Sequence, residues 1–270
     1  NIMKPIIIII FCFLNYISFS QENYFINTQL KTIGNFKKGN VNINLDYLVS
    51  NNILHSAFHY PTINLSYNLT NKVAVHGGYK TIQSNGSDLN LFGENKLLKN
   101  NNSGINFGLA YLGKTNFWFF TNYEILIGFE NTKIDIGKEN SGYTWEVNTI
   151  IEEYNQSYIQ LNFLKIKNKF KLSFSLNLSR VNYKEFINIE NSAGYINYLE
   201  KDNFNINNPI LFTTSLTNLY ALNNKNTLFI KSYFAFGASM EPFVIKSGNG
   251  IFEDVLANFQ IGVGLTYCFK

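Results

Sequence analysis

From about residue 40 onward, apolar and polar residues alternate one for one. Val41, Ile43, Leu45 and Tyr47 interleave with Asn42, Asn44 and Asp46. Strands send successive side chains to opposite faces, so a period of two predicts a strand with one apolar and one polar face. The pattern recurs at 63–69, 73–80, 105–111, 117–127, 159–163, 170–179, 212–220 and 228–236. It ends in the longest run, 255–269. There Val255, Ala257, Phe259, Ile261, Val263, Leu265, Tyr267 and Phe269 oppose Asn258, Gln260, Gly262, Gly264, Thr266 and Cys268. The count is about ten strands, the even number expected of a closed single-chain barrel.

The connections alternate in length. Short links fall at 70–72, 113–116, 165–169 and 222–226, and long ones at about 81–102, 130–153, 182–208 and 238–253; the first, 50–60, is intermediate. Short turns on the periplasmic side and longer outer loops would give this pattern. Two long links are predicted to carry hairpins beyond the membrane. One pairs 133–136 with 143–151 around 137–142, and the other pairs 181–190 with 194–199 around 191–193. Tyr67, Tyr111, Phe117, Phe163, Phe170, Tyr220, Tyr267 and Phe269 fall beside the short turns on the apolar face. Aromatic side chains favour the headgroup level, so these residues are expected to form a girdle. Tyr47, Tyr79 and Phe129 mark the other ends of their strands.

Periodicity alone also fits a soluble barrel or sandwich. The polar face argues against that. Asn, Ser, Thr, Gly and Ala dominate it, and only 15% of the chain is charged. The expected fold is therefore all-β: an antiparallel transmembrane β-barrel spanning residues 40–270. Lys4, the apolar run Ile6–Leu14 and the Ser18-Phe19-Ser20 exit read as a signal peptide over residues 1–20. Residues 21–39 are expected to be a periplasmic N-terminal segment. Cleavage would leave Cys268 as the sole cysteine, so no internal disulfide can form. The net charge of +4 is scattered, which argues against a nucleic-acid surface.

The ending Ile261-Gly262-Val263-Gly264-Leu265-Thr266-Tyr267-Cys268-Phe269, with the signal segment and the turn pattern, resembles the small outer-membrane β-barrel proteins of Gram-negative bacteria, especially of the Bacteroidetes. Lys270 departs from the family habit of stopping on an aromatic residue. The resemblance implies an outer-membrane location, with outer-membrane lipid and the barrel-insertion machinery as partners. It implies no activity, because the family is functionally mixed.

Parity places six charged or titratable residues, Asp46, His76, Lys80, Glu124, Lys171 and Lys231, in the lumen. Buried charges must pair or stay hydrated. Glu124 and Lys231 lie on strands nearly half the circumference apart and are expected to meet across the lumen as a latch. His55-Ser56 and His59 sit in the first connection, where His59 with Ser56 and Asp46 would form a rim hydrolase triad. Neither that triad nor a metal site at His55 and His59 has a supporting family signature or enough ligands. The expectation is a non-enzymatic scaffold or surface-binding protein with a filled lumen and no cofactor. Its outer loops would meet a surface protein or glycan. A narrow passive channel is the alternative, and an outer-rim hydrolase the third reading.

Overall fold

The computed structural model describes residues 37–52, 56–84, 95–100, 102–141, 145–167, 169–192, 195–200, 208–240, 243–247, 250–254 and 257–269. They contain strands β1 (Val41–Asn52), β2 (Ser56–Asn68), β3 (Val73–Ser84), β4 (Asn95–Asn100), β5 (Asn102–Lys114), β6 (Asn122–Ser141), β7 (Trp145–Lys167), β8 (Phe170–Ser192), β9 (Tyr195–Glu200), β10 (Ile210–Ala221), β11 (Leu228–Ser239), β12 (Phe243–Ser247), β13 (Gly250–Asp254) and β14 (Ala257–Phe269). Ten of these close a barrel in the order β1-β2-β3-β5-β6-β7-β8-β10-β11-β14, every neighbour antiparallel. The terminal strand is the closing stave: Val41 pairs with Phe269 and Leu45 with Leu265.

The register fixes the barrel's dimensions. One row of paired residues runs from Tyr154 on β7 through Thr132, Gly104, Lys80, Thr62, Asp46, Gly264, Lys231, Leu219 and Lys171. It returns to β7 at Ile166, twelve residues beyond Tyr154. Ten strands with this stagger tilt by about 40° around a backbone cylinder of about 10 Å radius. In a cylinder this narrow, inward side chains on neighbouring and next-but-one strands reach one another.

The outer face is the apolar one. Tyr123, Ile125, Ile127 and Phe129 face outward on β6, and then the outward parity turns polar at Asn131 and Lys133. On β8 the same change follows Phe170, Leu172, Phe174, Leu176 and Leu178, at Arg180. Seven to nine residues at this tilt rise by roughly 20 Å, close to the apolar band of a membrane barrel. The inward parity is polar. Asn42, Asn44, Ser66, Gln160, Asn162, Ser173, Ser175 and Thr217 are all buried.

Several expectations need correction. Residues 117–121 belong to a turn, not to the start of a strand. Thr115 N donates to Thr121 O at 3.1 Å, Phe120 N donates to Phe117 O at 3.1 Å, and Trp118 has φ 55°. The intermediate connection at 50–60 is largely strand, since β1 and β2 pair as far as Asn52 with Ser56. The turn expected at 137–142 lies further out, because Gly137 pairs with Thr149 and Ser141 with Trp145. The β8–β9 hairpin forms from Ile187 with Glu200 to Ser192 with Tyr195. The long links at 81–102 and 238–253 also hold strands. β4 adds to β6, and β12 pairs with β13. The signal segment and residues 21–36 lie outside the described residues.

Candidate functional site in the barrel interior

The interior is organised around inward glycines. Lys80 on β3 pairs with Gly104 on β5, which pairs with Thr132 on β6. A side chain at Gly104 would overlap the Lys80 stem. The missing side chain lets Lys80 cross β5 and form an ion pair with Glu130 of β6. Thr132 Oγ1 donates to the same carboxylate at 3.2 Å. The second pair repeats the device. Asp46 on β1 and Lys231 on β11 both register with Gly264 of β14. The Asp46 carboxylate lies where a Gly264 side chain would stand, and Lys231 Nζ donates to Asp46 Oδ2 at 2.9 Å. Both pairs are nearly inaccessible to solvent. Removing ions from water costs several kcal/mol each, so only close geometry and added hydrogen bonds hold them there.

Two further rows use the same geometry. His76 on β3 and Tyr158 on β7 approach across Gly108 and Gly128, with ring centroids 6.4 Å apart. A Cβ at Gly108 would lie 2.7 Å from His76 Nε2. Asn64 and Asn106 lean over Gly78 from either side. Nearer the short turns, Asn162 Nδ2 donates to Glu124 Oε2 at 2.8 Å, and Gln160 Nε2 donates to Asn162 Oδ1 at 2.6 Å. Lys171 Nζ sits 4.3 Å from the centre of the Phe229 ring. Phe229, Leu219, Ala221 and Cys268 form an apolar cluster inside that end of the barrel.

All six residues assigned inward by parity lie on the interior face. They do not form one cluster, and Glu124 does not meet Lys231. Lys231 is held by Asp46, two strands away, and Glu124 by Asn162 on the adjacent strand. Sequence reasoning missed Glu130. It shares the parity of Glu124 but falls where the sequence pattern places the long link at 130–153. The Asp46 carboxylate occupies the space that Gly264 leaves.

The girdle residues stand at the short-turn end. Tyr67, Tyr111, Phe117, Phe170, Tyr220, Tyr267 and Phe269 are exposed on the outer face and Phe163 half so. Phe170 and Tyr220 are register partners, and the Phe117 and Phe163 rings lie 5.2 Å apart. Of the hydrolase candidates, Asp46 is turned inward and committed to Lys231. Ser56 and His59 lie on β2, their side chains outside the described residues along with His55.

A closed antiparallel cylinder with an apolar outer belt, polar inner face and aromatic short-turn rim is a transmembrane β-barrel. Closure leaves no edge strand to face lipid, and an even-stranded single chain of this kind is the outer-membrane type of Gram-negative bacteria. The sequence matches no protein-family model and no curated protein. Among solved structures, the translocator domain of the autotransporter NalP from Neisseria meningitidis is similar at 10% identity and TM-score 0.48, over 87% of this chain and 90% of that one. The outer membrane protease OmpT of Escherichia coli is similar at 10% identity and TM-score 0.44, over 90% and 99%. An outer membrane channel from Pseudomonas putida F1 follows at 9% identity and TM-score 0.41, over 89% and 100%. The chain's own register closes the barrel, through β1 with β14 and β8 with β10.

Proposed function

We propose that the protein is a non-enzymatic scaffold of the outer membrane, of the Bacteroidetes type and exported by its N-terminal signal. Its filled barrel would hold a β-sheet out from the cell surface to bind a protein or glycan. The supporting observation is strand length. β6, β7 and β8 run for 20, 23 and 23 residues, where about ten cross a bilayer. Beyond the apolar belt they stay paired, and β4 and β9 extend them to five strands in the order β4-β6-β7-β8-β9. An extension of this kind has no use in sealing a membrane. A narrow solute channel is the competing reading, and it needs space that the two ion pairs and the Phe229 cluster occupy.

The test removes the extension. A variant joining β6 to β7 and β8 to β10 by short turns just above the belt should still fold, as judged by heat-modifiable gel mobility. It should lose binding to outer-surface glycans or proteins that the intact barrel retains. Equal binding by the trimmed and intact barrels would reject the reading.

A further inference from the structure

The short-turn rim carries charge of one sign. The described residues outside the strands there are 37–40, 69–72, 115–121, 169 and 222–227, and none of them is Asp or Glu. Lys37, Lys38, Lys72, Lys169 and Lys225 are exposed among them, and Lys167 is exposed at the end of β7. Lys72, Lys167, Lys169 and Lys225 lie within a few residues of Tyr67, Phe170 or Tyr220 in sequence, and Lys37 O accepts from Asn68 Nδ2, so they stand just outside the aromatic girdle, at headgroup level. Backbone contacts fix the turns that hold them. Thr70 Oγ1 accepts from Lys72 N at 3.0 Å and Val73 N at 2.9 Å, and Asn223 Oδ1 accepts from Thr227 N at 2.9 Å. Lys169 Nζ also reaches Asn224 Oδ1 at 3.1 Å, which ties two neighbouring turns together.

The β5–β6 turn breaks the pattern. Residues 117–120 read Phe-Trp-Phe-Phe, and Phe117 and Trp118 are 59% and 68% exposed. Trp118 holds a left-handed backbone that a tryptophan rarely adopts, and its ring lies against those of Phe119 and Phe120. An indole held outward beside a girdle is suited to the membrane interface.

We infer that the short-turn rim is a binding surface for anionic phospholipid headgroups. The lysine ring supplies the charge complement, and the Phe117–Trp118 turn is a wedge in the same leaflet. Lysines near an anionic surface gain attraction that salt screens. The rim is continuous with the lipid belt, so a headgroup is the anion already beside it.

The test uses the full chain refolded into phosphatidylcholine vesicles containing spin-labelled phosphatidylglycerol or spin-labelled phosphatidylcholine. The motionally restricted lipid shell should favour phosphatidylglycerol by about fivefold or more. High salt should erase the preference. The combined variant Lys37→Gln, Lys38→Gln, Lys167→Gln and Lys169→Gln should abolish it, and the matching Lys→Arg variant should keep it. If the Gln variant does not fold, the salt titration of the unaltered protein decides. No preference in the unaltered protein, a preference that survives salt, or one unchanged in a folded Gln variant would overturn the inference. So would Lys-dependent binding of soluble peptidoglycan fragments in the absence of a lipid preference.

Discussion

Asp46, Gly264 and Lys231 show how a narrow barrel carries charge. Adjacent strands are about 4.8 Å apart, so an ion pair that skips a strand needs long side chains and an unobstructed middle position. Glycine at the middle strand provides it, at Gly264 and again at Gly104. Parity assigns the charged residues to one face and makes their interior placement legible in the sequence. Their partners were not legible, because pairing across the open lumen and pairing over a glycine look the same until the register is known. The energetic consequence is specific. Asp46→Ala leaves the Lys231 ammonium buried without its counter-charge and should cost about 3–5 kcal/mol. The double variant Asp46→Ala with Lys231→Met should recover most of that loss. Equilibrium unfolding from lipid vesicles measures both, and an Asp46→Ala loss under 1 kcal/mol would contradict the buried-pair account.

At the scale of strands and turns, the alternation was a reliable guide wherever a strand faces lipid on one side and side chains on the other. It located all ten staves. It misread residues 117–120, because four aromatics carry strong strand propensity while hydrogen bonds at Thr115, Phe117 and Thr121 close a turn there. It also missed β4, β12 and β13, which are too short to show a period. The belt makes its own prediction. Phe107 is 61% exposed at mid-height on β5, between Ile105 and Leu109. Phe107→Arg should destabilise the folded barrel in bilayers by about 2–4 kcal/mol, and the same change in a soluble barrel would be tolerated. Above the belt, Lys184 Nζ donates to Glu153 Oε1 at 3.0 Å, and this bond holds the Glu153 carboxyl below its ordinary range. A lowered carboxylate favours the folded state at neutral pH and loses that contribution as pH falls through its folded pKa. The effect is small, because both groups are part-exposed. Carbon-13 titration should show the Glu153 midpoint rising in Lys184→Ala. An unmoved midpoint would remove Lys184 as the cause.

Taken whole, the molecule divides into three levels along its axis. A lysine-bearing rim with an aromatic turn lies at the short-turn end. A belt about 20 Å high follows, with an interior locked by Lys80–Glu130 and Asp46–Lys231. Beyond it β6, β7 and β8 continue into an outer sheet that β4 and β9 complete. The proposed scaffold role depends above all on the lumen being closed. Single-channel recording of the purified full chain in a planar bilayer tests that most directly. The account predicts a silent membrane for the intact protein, with conductance steps emerging only when Asp46, Lys231, Lys80 and Glu130 are together replaced by alanine. Steady ohmic steps from the intact protein at neutral pH would contradict it.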